Sequence, residues 1–534
     1  MPDIEAPLRS AAPPHPAANT PKFVIWAVLF LSLPALLPLA GAIIVPILNH
    51  QVPTGFIEYD LPSYHAEGRA YFDRGFHLTY SNPYAGYNSP AIYFQPHTFL
   101  LGLLQQLRLD PGITFNIFGL LTLFFGAAAA VLFYIEVIGV DTRAKKLALL
   151  CFFWGGGIFT LWGLARALFR MHRLSAIWEV EPTYGWWMLN FGRNLVYPTE
   201  AFYHGLFLFA LLALVRRRLA LSLALALIAC ISHPFTGLTL ILILIAYSAI
   251  ELMLRSGVVS LKFLLGAIVV AALHITYYMV WLNRFADHRA LQQQWQKAWL
   301  YPPKVFAGAL ILVGCLAIWQ LAASKLHCLR DARVRLFAVW FVVVFALTQH
   351  NLVMHPIQPI HFAHGYDWMA LFFLGAPVLI AILNSILGIR SPMARYSALA
   401  LLLSVFLLDN AAWLIKTAVH NEYLVAITHN QSSALTWLSH NLKPGDLVIC
   451  QDGLLSYLVS TYTPALSWQG HEHNTPSMEQ RHDEVERLFN TGQALPDWKR
   501  NGVFYVSPAA WVPPPSLALT ERYSNTDLAI WSAY

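Results

Sequence analysis

The chain has 534 residues, of which 57% are hydrophobic and 12% are charged, and its mean hydropathy of +0.52 excludes an ordinary soluble globular protein. The net charge of +6 does not indicate nucleic-acid binding, because Lys and Arg occur in short clusters between apolar stretches. Five scattered cysteines support neither a disulfide framework nor a CxxC metal site. We therefore expect an α-helical polytopic membrane protein.

Residues 1–22 are rich in Ala and Pro and are predicted to form a disordered cytoplasmic tail. The apolar run at 23–48 is long enough for an uncleaved first span, although the small residues at 40–42 leave cleavage as an alternative. Ten further spans are predicted, near residues 114–139, 148–168, 201–215, 219–233, 236–254, 258–282, 305–323, 336–350, 368–388 and 397–415. If the N-terminus is cytoplasmic, a topology of about 11 spans places every short basic turn on the cytoplasmic side, as the positive-inside rule requires.

The long connections then face the opposite side. The first outer loop covers residues 49–113, and its apolar stretch at 88–107 is predicted to lie in the membrane interface. The transmembrane domain is predicted to cover residues 23–431. From Ser432 onward the composition changes, and alternating helix and strand patterns predict a small α/β domain at 432–534 that is extracytoplasmic.

The first outer loop begins with "YDLPSYHAEGRAYFDRG", which concentrates charge in a chain that is otherwise poor in it. Pro62 suits the first turn of a helix. Two interpretations of Asp60 follow. It either caps this helix, with Arg69 and Asp73 as an ordinary i,i+4 pair, or it acts as a general base, because a carboxylate that loses hydration becomes a better proton acceptor.

The first span followed by "DLPSY", "AEGRA" and "SPAIYF" resembles the GT-C superfamily of integral membrane glycosyltransferases, such as protein O-mannosyltransferases and aminoarabinose transferases. The stretch from "ALTWLSHNL" to "DEVERLF" is similar to the outer C-terminal domain of many bacterial members. The resemblance implies that Asp60 is the catalytic base. Because Leu61 stands where many members have a second acid, Asp60 is expected to act alone or with Glu58 or Glu67.

The same resemblance implies a polyprenyl-phosphate-linked sugar as the donor, a hydroxyl of a glycan, lipid or protein as the acceptor, and inversion at the anomeric carbon. The reaction is expected on the outer face of a bacterial cytoplasmic membrane. No cofactor is assigned, a divalent metal is kept as an alternative, and no metal ligand is predicted. Cations are expected to hold the lipid phosphate. The predicted substrate-binding residues are Tyr64, Arg69, Arg193, Arg284, Arg289, His361 and His364.

Other acid and histidine clusters have simpler explanations. The "HEH" at His471 to His473 is expected to lie on a surface loop rather than to bind a metal. Glu179 and Glu181, among tryptophans, are expected in an interfacial aromatic belt. Two alternative functions remain: a lipid or polysaccharide transporter, which would need inverted repeats and broken helices with polar residues at mid-membrane, and a non-catalytic subunit of glycan assembly.

Overall fold

The computed structural model describes residues 20–87, 89–174, 188, 191–295, 299–498 and 501–533, and most of them are helical. The α-helices are α1 (Thr20–Ser32), α2 (Leu36–Leu48), α3 (Leu61–Ala70), α4 (Pro96–Gln105), α5 (Pro111–Val137), α6 (Arg143–Trp154), α7 (Phe159–Arg166), α8 (Phe191–Asn194), α9 (Pro198–Val215), α10 (Leu219–Ser232), α11 (Pro234–Met253), α12 (Leu261–Ile275), α13 (Ala286–Trp295), α14 (Pro303–Ala323), α15 (Ala332–Thr348), α16 (Ile360–Ala363), α17 (Tyr366–Leu387), α18 (Pro392–Val419), α19 (His429–Asn441), α20 (Gly453–Tyr462) and α21 (Met478–Thr491).

The described residues include eight helices that are long and apolar enough to cross a membrane, or nine if the bent pair α6 and α7 is counted as one span. These eight match eight of the predicted spans, and the chain is an integral membrane protein. The predicted span at 148–168 falls on the bent pair, while those at 219–233 and 336–350 fall on α10 and α15, which have 14 and 17 residues. The count of 11 spans stays a prediction.

The contacts divide the chain into two compact units. Unit 1 comprises Met1–Pro38, Gly119–Ile275 and Lys297–His420, and unit 2 comprises Leu39–Phe118, Thr276–Gln296 and Asn421–Tyr534. The first outer loop and the C-terminal segment therefore pack within the same unit. The predicted domain boundary at residue 431 stays a prediction.

The bend in unit 1 is stabilised by two side chains of α18. The axes of α6 and α7 differ by 68°, and the residues between them leave backbone groups without helical partners. The Asp409 carboxylate accepts from the backbone N–H groups of Phe159 and Thr160 at 3.0 and 2.6 Å. The Asn410 amide donates to the carbonyls of Trp154 and Gly155 at 3.0 and 2.7 Å. These bonds allow a broken helix in an apolar environment, where unpaired backbone groups are costly.

The C-terminal part of unit 2 contains a five-stranded sheet of order β4-β3-β5-β7-β6. Strands β3 and β4 and strands β3 and β5 pair in parallel, whereas β7 pairs antiparallel with β5 and β6. The strands are β1 (Val52–Pro53), β2 (Ala426–Ile427), β3 (Leu447–Cys450), β4 (Leu466–Ser467), β5 (Val503–Pro508), β6 (Thr520–Ser524) and β7 (Leu528–Ser532). The central β3 is fully buried, which explains its continuous apolar sequence.

Within unit 2, the first outer loop is joined to the C-terminal segment by backbone and side-chain hydrogen bonds. Strand β1 pairs antiparallel with β2. The hydroxyl of Tyr457 on α20 donates to the carbonyl of Tyr59 at 2.6 Å and accepts from the N–H of Ser63 at 2.9 Å. The turn before α3, which contains Asp60, is therefore positioned by residues that lie almost 400 positions later in the sequence.

Helices α3 and α4 approach each other closely at two glycines. A Cβ atom added to Gly102 would collide with the backbone oxygen of Gly68 and lie 2.8 Å from Cε2 of Phe72. Because a backbone atom cannot move aside as a flexible side chain can, only glycine fits at this contact.

We expect Gly102→Ala to destabilise unit 2 by about 1–3 kcal/mol, because overpacking must separate the two helices. Thermal unfolding of the purified protein in detergent would measure the effect. Gly453→Ala is the matched control, since an added Cβ there meets no atom within 4 Å among the described residues. Equal unfolding temperatures for the two variants would show that the α3 and α4 contact tolerates a side chain.

Candidate active site

Asp60 and His471 form a hydrogen-bonded pair in unit 2. Oδ1 of Asp60 lies 2.6 Å from Nε2 of His471. The two side chains differ in exposure: that of Asp60 is 48% exposed and that of His471 is 4% exposed. The pair therefore consists of a carboxylate that a ligand can reach and a buried imidazole behind it.

The hydrogen bonds of His471 define its tautomer. The backbone N–H of His473 donates to Nδ1 of His471 at 3.3 Å, so that nitrogen carries a lone pair and the proton is on Nε2. The Nε2–H group then donates to Oδ1 of Asp60. Because both ring nitrogens are used and the ring is buried, His471 orients the carboxylate, and Asp60 is the member of the pair that can meet a substrate.

Neighbouring side chains hold this pair in place. Glu58 accepts from the backbone N–H of Asp60 at 3.1 Å, and the ring of Tyr59 stacks on that of His471 with centroids 5.2 Å apart. Burial, with smaller contributions from the charges of Glu472 and Asp60, raises the pKa of Tyr59 to about 12. Tyr59 is therefore a neutral phenol beside the carboxylate at physiological pH.

Two sequence interpretations are wrong at this site. Asp60 occupies the position before α3, but its side chain makes no capping hydrogen bond, and the Ser63 hydroxyl donates to its backbone carbonyl instead. The "HEH" segment is not simply a surface loop, because His471 is buried and bonded to Asp60. The Arg69 and Asp73 pair is confirmed, with Nε and Oδ2 3.2 Å apart.

The other site residues predicted in the first loop lie on α3. Oε2 of Glu67 is buried and has no hydrogen-bond partner among the described residues. Burial raises the pKa of Glu67 to about 8, and a hydrogen bond with Tyr80 offsets only part of the effect. Tyr64 is half-buried against His97, with ring centroids 5.6 Å apart, and Arg69 also donates to the Thr461 carbonyl at 3.4 Å.

Arg284 and Arg289 are exposed in unit 2. The guanidinium of Arg284 lies 5.9 Å from the ring centre of Trp281. Nη1 of Arg289 donates to the carbonyl of Asn283 at 2.8 Å. Their exposed charges remain accessible to an anionic ligand.

Unit 1 brings together three of the predicted residues, Arg193, His361 and His364. Nδ1 of His361 lies 3.2 Å from Nε2 of His364, and Nδ1 of His364 lies 2.9 Å from Oε2 of Glu200. The buried guanidinium of Arg193 lies over the ring of Trp413 at 5.1 Å. His364 adopts a left-handed backbone conformation with φ of 34°, an uncommon state for a residue with a side chain and one that often marks functional positions.

Sequence reasoning missed the roles of His471 and Glu200. The i,i+4 spacing of Glu200 and His204 in "EAFYH" is the signal that identifies an acid and an imidazole on one helical face. Nothing local to "HEH" indicates Asp60 as a partner, because the two residues are 411 positions apart. Glu179 and Glu181 lie outside the described residues.

The side chains in the described part of the chain can be compared with the arrangements that hold a divalent metal. No three His, Cys, Asp or Glu residues there are arranged to hold a metal ion. At Asp60 the nearest imidazole presents a protonated Nε2 rather than a lone pair, which is unsuited to metal binding.

The raised pKa of Glu67 predicts that stability depends on pH. Between about pH 4.5 and 8 the folded protein keeps a proton on Glu67 that the unfolded chain releases, so the free energy of unfolding falls as pH rises. The slope contributed is at most about 1.4 kcal/mol per pH unit. We expect Glu67→Gln to remove this decrease in the free energy of unfolding and to raise the unfolding temperature at alkaline pH. Glu479→Gln, at an exposed position, is the control; identical pH profiles for all three proteins would contradict the burial of Glu67.

Comparison with known proteins gives no match to a family model and none to a curated protein sequence. Solved structures do match. The chain is similar to apo ArnT from Cupriavidus metallidurans at 13% identity and a TM-score of 0.50, over 96% of this chain and 98% of that one. The same enzyme bound to undecaprenyl phosphate gives 13% identity, 97% and 99% coverage and a TM-score of 0.49.

A second similar structure is the apo oligosaccharyltransferase from Archaeoglobus fulgidus, at 14% identity and a TM-score of 0.48, covering 96% of this chain and 74% of that chain. At these identities the similarity concerns the fold. The match to apo ArnT, a GT-C enzyme, covers almost the full length of both chains. The chain therefore has the GT-C fold that its first loop and C-terminal segment predicted.

Proposed function

We propose that this protein is a glycosyltransferase that transfers a sugar from a polyprenyl-phosphate donor to an acceptor hydroxyl, with inversion at the anomeric carbon. The GT-C fold supports the class of reaction. The observation that carries the proposal is the pair of half-exposed Asp60 and buried His471, joined at 2.6 Å. It provides an oriented general base on the loop that the resemblance identifies as catalytic.

The proposed reaction follows from the geometry of this pair. His471 donates to Oδ1 of Asp60 and so fixes the plane of the carboxylate. The carboxylate accepts the proton of an acceptor hydroxyl while the acceptor oxygen attacks the anomeric carbon, and the lipid phosphate leaves from the opposite side. Glu58 holds the backbone of Asp60, and Glu67, which keeps its proton at neutral pH, supports the loop rather than acting as a second base.

The phosphate is proposed to bind to cationic and imidazole side chains. Arg284 and Arg289 offer exposed guanidinium groups in unit 2. Arg193, His361 and His364 lie together in unit 1, and their role in substrate binding stays a prediction. Tyr64 and Arg69 keep their proposed role in contacting the substrate.

We further propose that the reaction takes place on the outer side of a bacterial cytoplasmic membrane, with unit 2 exposed there. The basic short turns of the sequence support this orientation. The acceptor is proposed to be a glycan, a lipid or a protein hydroxyl. The alternative of a transporter is less well supported, because Asp60 and His471 lie outside the helices in the described part of the chain that could span a membrane.

The test compares membrane glycans and lipids by mass spectrometry from cells with the wild-type chain, without it, and with Asp60→Asn. We expect a glycosylated product that requires the chain and falls about 100-fold or more in Asp60→Asn, because asparagine keeps the shape and the bond from His471 but cannot accept the proton. No product difference on removing the chain would refute the enzyme assignment. Full activity of Asp60→Asn would refute the assignment of Asp60 as the general base.

Two further variants distinguish the orientation of Asp60 by His471 from a general effect of charge near the loop. His471→Ala is expected to lower product formation about 10-fold or more, because Asp60 loses the donor that orients it. Glu472→Gln is the matched control, since it removes a carboxylate from the adjacent residue, whose side chain is 60% exposed. Equal losses in both variants would indicate a general effect of charge near the loop.

A further inference from the structure

A groove follows the outer face of helix α19 in unit 2. It consists of two adjoining cavities of about 560 and 320 Å³, both within the range of roughly 300–1,000 Å³ that is typical of ligand sites. Ser432, Thr436 and His440 line both cavities, so the two are continuous along the helix. These residues follow i,i+4 spacing and cover about 12 Å of helix, which suits an extended ligand. We call this surface the α19 groove.

Two aromatic rings, those of Trp437 and Tyr523, line the larger cavity. Their centroids are 6.0 Å apart, and their planes differ by 31°. The ring of Phe504 packs edge-on against Trp437 at 6.5 Å, and the Asn525 amide donates to the Tyr523 hydroxyl at 3.2 Å. Trp437 and Tyr523 are both only half-buried. The groove therefore contains fixed aromatic surface that remains accessible to a ligand.

The hydroxyl groups on α19 offer lone pairs to a ligand rather than protons. The Thr436 hydroxyl donates to the Ser432 carbonyl, and the Ser433 hydroxyl donates to the His429 carbonyl, both at 2.8 Å. A hydroxyl has one proton, so each of these can only accept from a ligand. Nδ1 of His440 donates to the Thr436 carbonyl at 2.7 Å, so Nε2 of the neutral ring carries a lone pair.

The charge of the α19 groove disfavours an anion. Among the described residues, no lysine or arginine lines either cavity. The smaller cavity includes Asp110, whose Oδ1 accepts from the backbone N–H groups of Gly112 and Ile113 at 2.8 and 3.2 Å. The nitrogen of the Asn441 amide donates to the Trp437 carbonyl at 2.7 Å, so its oxygen is a further acceptor. A ligand rich in neutral O–H groups suits this surface, whereas an apolar chain would leave the acceptors unpaired.

Capping bonds fix α19 before a ligand binds. Thr428 and Gln431 form a reciprocal capping box at its N-terminus. The Gln431 amide also donates at 2.7 Å to Asp452, which is the N-cap residue of α20. Helix α20 carries Tyr457, which positions the turn that contains Asp60. The α19 groove and the candidate base are therefore both connected to the same helix of unit 2.

We propose that the α19 groove is a binding site for an uncharged glycan chain. The face of an aromatic ring carries partial negative charge, so the C–H groups of a sugar ring can pack on Trp437 and Tyr523. The sugar hydroxyls donate to the acceptors of α19 and accept from the O–H of Tyr523. In the reaction, the groove retains a glycan as the acceptor substrate; this role, unlike the binding itself, rests on the proposed function.

The experiment measures glycan binding, which does not require turnover. The full-length protein, in nanodiscs with a fluorescent scaffold protein, is applied to an array of neutral oligosaccharides, acidic oligosaccharides and peptides. The affinity for the best-bound neutral oligosaccharide is then measured by calorimetry. We expect Trp437→Ala to lower this affinity about tenfold or more, because it removes the stacking surface. Ser433→Arg should have the same effect, since it fills the larger cavity from an exposed helical position.

Ser516→Arg is the matched control, because it adds the same side chain at an exposed serine of unit 2 that lines neither cavity, and it should leave the affinity unchanged. Equal affinities for the wild type, Trp437→Ala and Ser433→Arg would overturn the proposal. Binding to acidic oligosaccharides only, to peptides only, or to nothing on the array would also overturn it. Failure of the proposed function is recognised separately: glycan binding would persist, while removal of the chain would leave membrane glycans and lipids unchanged.

Discussion

The hydrogen bonds between the first outer loop and the C-terminal segment are the interaction on which the candidate active site depends. The Thr54 hydroxyl donates to the Val425 carbonyl, the Thr461 hydroxyl donates to the Pro62 carbonyl, and Arg481 donates to the Tyr84 carbonyl. These partners are between 371 and 399 positions apart. A loop of more than 60 residues could otherwise sample many conformations. Held at several points along its length, it presents Asp60 in one orientation.

Unit 1 contains ionisable groups in an apolar environment. An isolated charge there would lose its hydration without compensation, so pairing or hydrogen bonding stabilises it. Asp409 receives two backbone N–H groups, Glu251 pairs with Arg335, and Glu200 is surrounded by imidazoles. The first two arrangements are complete within the protein. The third extends through His364 to the half-buried ring of His361.

Much of the fold follows from local sequence patterns. Apolar runs located eight helices that can cross a membrane, Pro62 indicated the start of α3 at Leu61, and "DLVIC" indicated the buried strand β3. Strand β6 could not be found in this way. Its sequence "TERYS" is polar and mostly exposed, so no alternation marks it, and it forms because β7 offers an edge for pairing.

The candidate sites were only partly predictable for the same reason. Asp60 was identifiable as an acid at the start of the first loop, but its partner depends on tertiary structure alone. In unit 1 the sequence indicated His361 and His364 as candidate binding residues, whereas their hydrogen bonds could be read only from the positions of Glu200 and the His364 carbonyl. Sequence patterns identify which residues are chemically able to act, and packing decides which of them meet.

The distance along the chain between Asp60 and His471 has a consequence for biosynthesis. Residue 60 leaves the ribosome early, and its imidazole partner is made 411 residues later, after all the helices that could cross a membrane. Throughout synthesis the carboxylate therefore lacks the donor that orients it. A truncated product that ends before the C-terminal segment would therefore keep these apolar helices but lack the imidazole partner of Asp60.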